Sequence, residues 1–180
     1  EATPIGTPRP GFEGPIPKGA LKVTDGEVGR YGGRLVLSIA GNPSTFNPLL
    51  ANDVPTNRVL FGKVYDSCLR FHNDKQEMVP ALCEGYEMSA DRLTYTFKVR
   101  EGITWSDGEP ITAKDFAFSY KVITDPKIAN STVDLFRQGV DAAGKPRFPS
   151  LTVVDERTFR FQLHQPDVLF HVNVASIRVV

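Results

Sequence analysis

The first apolar pattern along the chain lies in residues 34–40. Both alternating sets of side chains are apolar or small: Leu35, Leu37 and Ile39 in one set, Val36, Ser38 and Ala40 in the other. Such a segment is typical of a strand that is buried on both faces. The turn-forming residues of 41–48 then surround a single Phe46 and predict an ordered loop after this strand.

Strict alternation of apolar and polar residues predicts further strands at 94–100 and in a hairpin over 151–163. The turn of this hairpin is expected at 155–157. The apolar sets are Tyr95, Phe97 and Val99 in the first segment and Phe159, Phe161 and Leu163 in the second. Each segment should therefore bury one face and expose the other.

A helical period predicts a helix over about residues 54–66. Asp53 can cap it, and Pro55 suits its first turn. The residues expected to share its apolar face are Val54, Arg58, Phe61 and Tyr65, beside Leu60 and Val64.

A second helix should begin at Ala113, because Thr112 and Asp115 form an approximate capping box. The preceding residues 106–110 predict a tight turn, and Asp125-Pro126 should end the helix. Its apolar side would carry Phe116, Tyr120 and Ile123. Together with the strands, this helix indicates a mixed α and β fold, with the aromatic residues packed in a core.

Composition limits the classes of function. The 21 basic and 21 acidic side chains balance, which argues against sequence-independent binding to nucleic acid. No stretch of about 18 apolar residues would span a membrane. The sequence contains no phosphate-binding loop or nucleophile elbow, and its histidines lack the spacing of metal ligands. We therefore expect neither a cofactor nor a metal.

An enzyme would need paired carboxylates, for which Asp107, Glu109 and Asp115 are the candidates. A turn and a helix cap already account for Asp107 and Asp115. The sequence therefore favours a protein that is not an enzyme.

Cys68 and Cys83 lie fifteen residues apart and leave two interpretations open. In an oxidising compartment they could form a disulfide, which would contribute about 3 kcal/mol in the chain-entropy model. Otherwise they are two small buried apolar residues.

Several ordered segments resemble a known family. Residues 93–115 read LTYTFKVREGITWSDGEPITAKD, with VPAL at 79–82, TFNP at 45–48 and VDERTFRF at 154–161. This set resembles family 5 of the bacterial extracellular solute-binding proteins, the dipeptide- and oligopeptide-binding components of ABC importers. Two positions depart from the family pattern: Tyr86 stands where Trp is common, and Arg92 where glycine usually makes a turn.

The resemblance implies a periplasmic-binding-protein fold of the second type, in which two lobes close on a ligand. Residues 1–32, rich in proline and glycine, would be a leader or tether. Residues 33–50 would supply the first strand and cleft loop of lobe I, and 51–180 most of a small extra domain. The second ligand-gripping lobe would belong to a longer chain.

The resemblance also implies a function and a site. The protein would capture peptides outside the cytoplasm, in the periplasm or at the cell surface, and deliver them to an ABC permease. A lipid anchor on a removed N-terminal segment would hold it at the membrane. The expected ligand-binding residues are Gly41, Asn42, Pro43, Ser44 and, more weakly, Thr45, because the loop after the first strand borders the cleft in this fold.

Other ligands and other functions stay open at this point. Relatives of this family also carry nickel, haem or oligosaccharides, and a standalone interaction domain is the alternative to a transport protein. If a second lobe is missing, apolar residues near the C-terminus should be exposed and should promote association. These residues are Val168, Leu169, Phe170, Val172, Val174, Ile177, Val179 and Val180.

Overall fold

The computed structural model describes residues 36, 38–51, 53–130 and 132–180. The predicted leader at 1–32 lies outside these residues. The described elements are, in chain order, α1 (Val54–Leu60), β1 (Leu69–His72), β2 (Glu77–Pro80), β3 (Cys83–Met88), β4 (Thr94–Val99), α2 (Ala113–Ile123), a 3₁₀ turn (Thr132–Phe136), β5 (Ser150–Val153), β6 (Thr158–Gln162) and α3 (Phe170–Val174). The fold is mixed α and β, as the sequence predicts.

An antiparallel sheet in the order β3-β4-β6-β5 forms the centre of the described part of the chain. Tyr95 lies opposite Phe161 in the register of β4 and β6, and Phe97 lies opposite Phe159. All four aromatic side chains are fully buried. The strand at 94–100 and the hairpin at 151–163 are therefore confirmed, including the faces that they bury.

Helix α2 covers the apolar face of this sheet. The Asp115 carboxylate accepts a hydrogen bond from the Thr112 N–H at 2.6 Å, which satisfies an amide at the helix start. Phe116, Tyr120 and Ile123 are buried, and the Phe116 ring stacks on Phe159 with centroids 4.8 Å apart. The helix, its cap and its buried face all agree with the sequence prediction.

Strands β1 and β2 form a separate two-stranded hairpin beside the main sheet. A disulfide joins Cys68, just before β1, to Cys83 at the start of β3, with the two Cα atoms 4.7 Å apart. Both cysteines are fully buried. Of the two interpretations that the sequence leaves open, the structure therefore shows the disulfide.

The strand predicted at 34–40 is not formed in the residues that are described. Val36, Ser38, Ile39 and Ala40 lie outside any strand, and the Val36 side chain is 74% exposed. A strand needs a neighbour to pair its N–H and C=O groups. Among the described elements, the main sheet has its edges at β3 and β5, and neither pairs with Val36 or with residues 38–40.

The first helix is shorter than predicted. It ends at Leu60 because Phe61 is extended and Gly62 takes a φ of 71°, a left-handed conformation that stops the α-helix. The predicted apolar face is only partly correct: Leu60 is buried as expected, whereas Val54 and Val64 are exposed and Thr56 is buried. The cap by Asp53 and the position of Pro55 in the first turn are confirmed.

The exposure expected for the eight C-terminal apolar residues is correct for three of them. Val168, Leu169 and Val172 are exposed, whereas Phe170, Val174, Ile177 and Val179 are buried. The reason is that α3 turns one side toward the core, where the Phe170 ring lies 5.0 Å from that of Phe161. This segment therefore belongs to the same core as the sheet.

Candidate functional site

The loop predicted to contact a ligand, residues 41–45, is held against the start of helix α1. The Ser44 N–H donates to the Thr56 hydroxyl oxygen at 2.8 Å, and the Ser44 hydroxyl donates to the Asp53 carboxylate. Both donors of Ser44 therefore point toward the helix.

Asp53 and Thr56 complete this hydrogen-bond network. The Asp53 carboxylate accepts from the Thr56 N–H at 2.8 Å and from the Thr56 hydroxyl at 2.7 Å. Thr56 is fully buried, so its hydroxyl needs these protein partners. We call Ser44, Asp53 and Thr56 the loop clamp.

The clamp favours the ionised form of Asp53. The hydrogen bond from the Ser44 side chain, followed by those from the Thr56 amide and hydroxyl, holds the pKa of Asp53 below its ordinary value. An ionised carboxylate accepts these bonds more strongly than a neutral carboxyl group does. At neutral pH the clamp is thus held by charge-assisted hydrogen bonds.

Gly41 contributes a close approach on the other side of the loop. Its φ is 99°, and a Cβ at this position would lie 3.2 Å from Cγ of Pro55. Glycine is therefore required here both by its backbone conformation and by the contact with the proline ring. The loop contacts the first turn of α1 at Gly41 and at Ser44.

The remaining loop residues differ in which of their hydrogen-bonding groups have a partner. The Thr45 hydroxyl accepts from the Asn47 N–H at 3.0 Å. Asn42 is exposed and makes no hydrogen bond to any residue in the described ranges. Among the five predicted residues, the Ser44 N–H has a hydrogen bond within the described structure, whereas the backbones of Gly41, Asn42, Pro43 and Thr45 have none there.

Two of the three carboxylates considered for an enzyme, those of Asp107 and Asp115, have structural roles. Asp107 accepts from the Glu109 N–H at 3.1 Å inside a tight turn, and Asp115 caps α2. Within the described residues, no group of three or more His, Cys, Asp and Glu side chains could hold a metal ion. Asp107 and Asp115 therefore have the turn and capping roles that the sequence predicts.

Sequence reasoning missed a groove of about 590 Å³ between the region after α1 and helix α3. Its walls include Phe61, Tyr65, Met78, Val172 and Arg178. The Arg178 guanidinium lies 4.2 Å from the centre of the Phe61 ring, and burial lowers the pKa of Arg178. The residues come from separate segments, so no local pattern in the sequence could have indicated the groove.

A protein-family model matches more than half of this chain. Residues 77–179, more than half of the chain, match the model described as "Bacterial extracellular solute-binding proteins, family 5 Middle". The chain belongs to this family. Members of family 5 are binding proteins, and they are periplasmic or extracellular.

Curated relatives of this family 5 chain include peptide-binding proteins from two bacteria. The dipeptide-binding protein DppE of Bacillus subtilis is 33% identical over 146 residues, which are 76% of this chain and 26% of DppE. The periplasmic murein peptide-binding protein MppA of Escherichia coli is 28% identical over 155 residues, or 82% of this chain and 28% of MppA. The chain thus spans about a quarter of the length of these relatives.

Solved structures of family 5 proteins have the same fold over the matched region. The Escherichia coli murein tripeptide binding protein MppA superimposes with a TM-score of 0.66 and 26% identity, covering 79% of this chain and 29% of MppA. The pheromone receptor PrgZ gives a TM-score of 0.66 and 29% identity, with 76% of this chain and 28% of PrgZ covered. The fold is therefore that of a periplasmic binding protein.

None of the helices in the described residues has the length and apolarity needed to cross a bilayer.

Proposed function

We propose that this chain is part of a substrate-binding protein that captures peptides outside the cytoplasm and delivers them to an ABC permease. The membership of residues 77–179 in family 5 carries the proposal. The relatives described above support the peptide class, since DppE and MppA are named for binding a dipeptide and a murein peptide.

In the proposed mechanism, residues 41–45 border the ligand cleft. The unpaired backbones of Gly41, Asn42 and Pro43 would hydrogen-bond to the main chain of the peptide. Recognition through the main chain tolerates many side chains, which suits a protein that imports varied peptides. A second lobe would close over the bound ligand without converting it chemically.

Partners and anchoring belong to the same proposal. The permease would bind the closed, liganded form, and a lipid on a removed N-terminal segment would keep the protein near the membrane. The proline- and glycine-rich composition of residues 1–32 suits a tether of this kind.

Native mass spectrometry of the protein from its own reading frame tests the ligand class. We expect a small extra mass that is lost on denaturation and fragments as a peptide. A retained nickel ion, haem or sugar would contradict the peptide class, and conversion of the released ligand during incubation would indicate an enzyme. A protein that carries nothing and binds no added trialanine would favour a standalone interaction domain.

The contact between the loop and the peptide has its own test at Asn42. Replacing Asn42 with proline removes one backbone donor, so the Kd for trialanine should rise roughly three- to tenfold, the effect of one hydrogen bond. The matched control is Asn42→Ala, which removes the side chain but keeps the N–H and should leave the Kd almost unchanged. Isothermal titration calorimetry on the full-length protein measures both. Equal affinity in the proline variant and the parent would contradict a contact through this amide.

A further inference from the structure

The loop clamp joins the candidate ligand loop to a buried side chain that the ligand itself would not reach. Thr56 is fully buried, yet its hydroxyl oxygen accepts from the Ser44 N–H at 2.8 Å. The same hydroxyl donates to Asp53 at 2.7 Å, and Asp53 in turn accepts from the Ser44 hydroxyl. The three residues thus form a closed cycle between the loop and the helix.

This cycle decides which hydrogen-bonding groups of the loop are already paired. Both donors of Ser44 are used within the clamp, and the Thr45 hydroxyl is used by Asn47. Gly41 also lies close to the helix start, because a Cβ at this position would be 3.2 Å from Cγ of Pro55. The loop is therefore fixed at both ends, while Asn42 and Pro43 between them have no hydrogen bond to the described residues.

A ligand that pairs with a loop backbone binds more tightly when that backbone is already ordered, because ordering it on binding costs conformational entropy. Fixing the two ends of residues 41–44 removes most of this cost before the ligand arrives. The residues that fix the loop contribute to affinity without touching the ligand.

We propose that Asp53 and Thr56 are positioning residues for peptide binding, which hold residues 41–44 in the conformation that leaves the Asn42 and Pro43 backbones unpaired. The inference rests on the proposed function. It also divides the predicted site: Gly41, Asn42 and Pro43 face the ligand, whereas Ser44 faces the helix.

The test uses Thr56→Val in the full-length protein, because valine has nearly the shape of threonine but lacks the hydroxyl. Without this acceptor, hydrogen exchange at the Ser44 amide should become at least about fivefold faster in the ligand-free protein. The Kd for trialanine, measured by calorimetry, should rise roughly three- to tenfold. Thr56→Ser restores the hydroxyl and should return both values to within about twofold of the parent.

Two further variants separate positioning from general destabilisation. Thr124→Val removes a hydroxyl that donates to the Tyr120 carbonyl oxygen at 2.9 Å at the end of α2, and it should leave the exchange of residues 41–45 and the Kd unchanged. Asp53→Asn replaces the carboxylate that accepts hydrogen bonds from the Ser44 and Thr56 hydroxyls. It should show the same faster exchange and higher Kd that are expected for Thr56→Val, and it provides a second test if Thr56→Val does not fold.

The outcomes distinguish this inference from the proposed function. If the parent binds trialanine and Thr56→Val and Asp53→Asn bind it equally well, the positioning role is wrong and peptide capture is unaffected. If Thr56→Val leaves the exchange of the Ser44 amide unchanged, the clamp does not order the loop. If the parent binds no trialanine, peptide capture and the positioning role are both contradicted.

Discussion

Phe161 lies at the centre of an aromatic cluster on the buried face of the sheet. Its ring is 4.9 Å from that of Tyr120, 5.0 Å from that of Phe170 and 6.0 Å from that of Phe159. These neighbours come from α2, α3 and β6, so one side chain connects three elements. Aromatic rings of this size provide a large share of the apolar area that a small core can bury.

Replacing Phe161 with alanine should therefore lower the free energy of unfolding by about 3–5 kcal/mol, through lost burial and the cavity left behind. The matched control is Phe118→Ala on the exposed side of α2, where the ring is more than half exposed and the expected change is about 0.5 kcal/mol. Urea denaturation measures both. Similar losses in the two variants would contradict the assigned core face.

Several predictions made for individual residues agree with the structure. The predicted cap at Asp53, the capping box at Thr112 and Asp115, and the buried face of β4 are indicated by patterns within a few residues, and all are confirmed. Arg92 stands at a turn where the family usually has glycine. Its φ of 59° is left-handed, which is the conformation that a glycine adopts easily at such a turn. The clamp, in contrast, depends on a contact between residues twelve apart and has no signal in the sequence.

At the scale of elements, the disulfide ties the β1–β2 hairpin to the main sheet. The bond closes a loop that contains the whole hairpin, and the Cys68 carbonyl oxygen also accepts from the Cys83 N–H at 3.0 Å. A two-stranded hairpin is only marginally stable by itself. The covalent link should therefore contribute substantially to keeping the hairpin in place.

The double variant Cys68→Ala/Cys83→Ala should be less stable than the parent by about 2–4 kcal/mol, since its unfolded chain gains the entropy of an open loop. Urea denaturation gives the value, and the parent refolded in reductant should match the variant within about 1 kcal/mol. No difference between the oxidised parent and the double variant would show that the disulfide leaves stability unchanged.

At the scale of the whole molecule, ionised carboxylates connect distant parts of the chain. Glu84 on β3 forms ion pairs with Lys98 on β4 at 3.2 Å and with Arg157 in the turn before β6 at 2.5 Å. The hydrogen bond from Lys98 is the main cause that lowers the pKa of Glu84, whereas hydrogen bonds from Ser44 and Thr56 lower that of Asp53.

Stability should therefore fall in acid. A carboxylate whose pKa is lowered by folding stabilises the native state at pH values above its pKa in the unfolded chain, which is ordinarily 3.8 for aspartate and 4.5 for glutamate. This stabilisation is lost as the pH falls through the pKa of the folded state. Melting temperatures between pH 6 and pH 2.5 should decrease most below about pH 4.5. In Asp53→Asn the decrease should be smaller than in the parent.

Salt separates the two contributions to this acid sensitivity. Raising the NaCl concentration to about 1 M should weaken the exposed ion pairs of Glu84 but have little effect on the Asp53 hydrogen bonds, whose donors are uncharged. A melting temperature that does not change between pH 6 and pH 2.5 would contradict the lowered pKa values of both carboxylates.

The family, the mixed fold, the main strands, helix α2 and the core face are all predictable from the amino-acid order, because alternation, capping and ordered motifs are local properties of the chain. Other features depend on contacts between distant segments. The segment at 34–40 has the pattern of a buried strand, but its described residues have no strand partner. Phe170, Val174, Ile177 and Val179 join the core because α3 packs against β6. The disulfide and the loop clamp depend on distances between residues far apart in sequence, which no local pattern records.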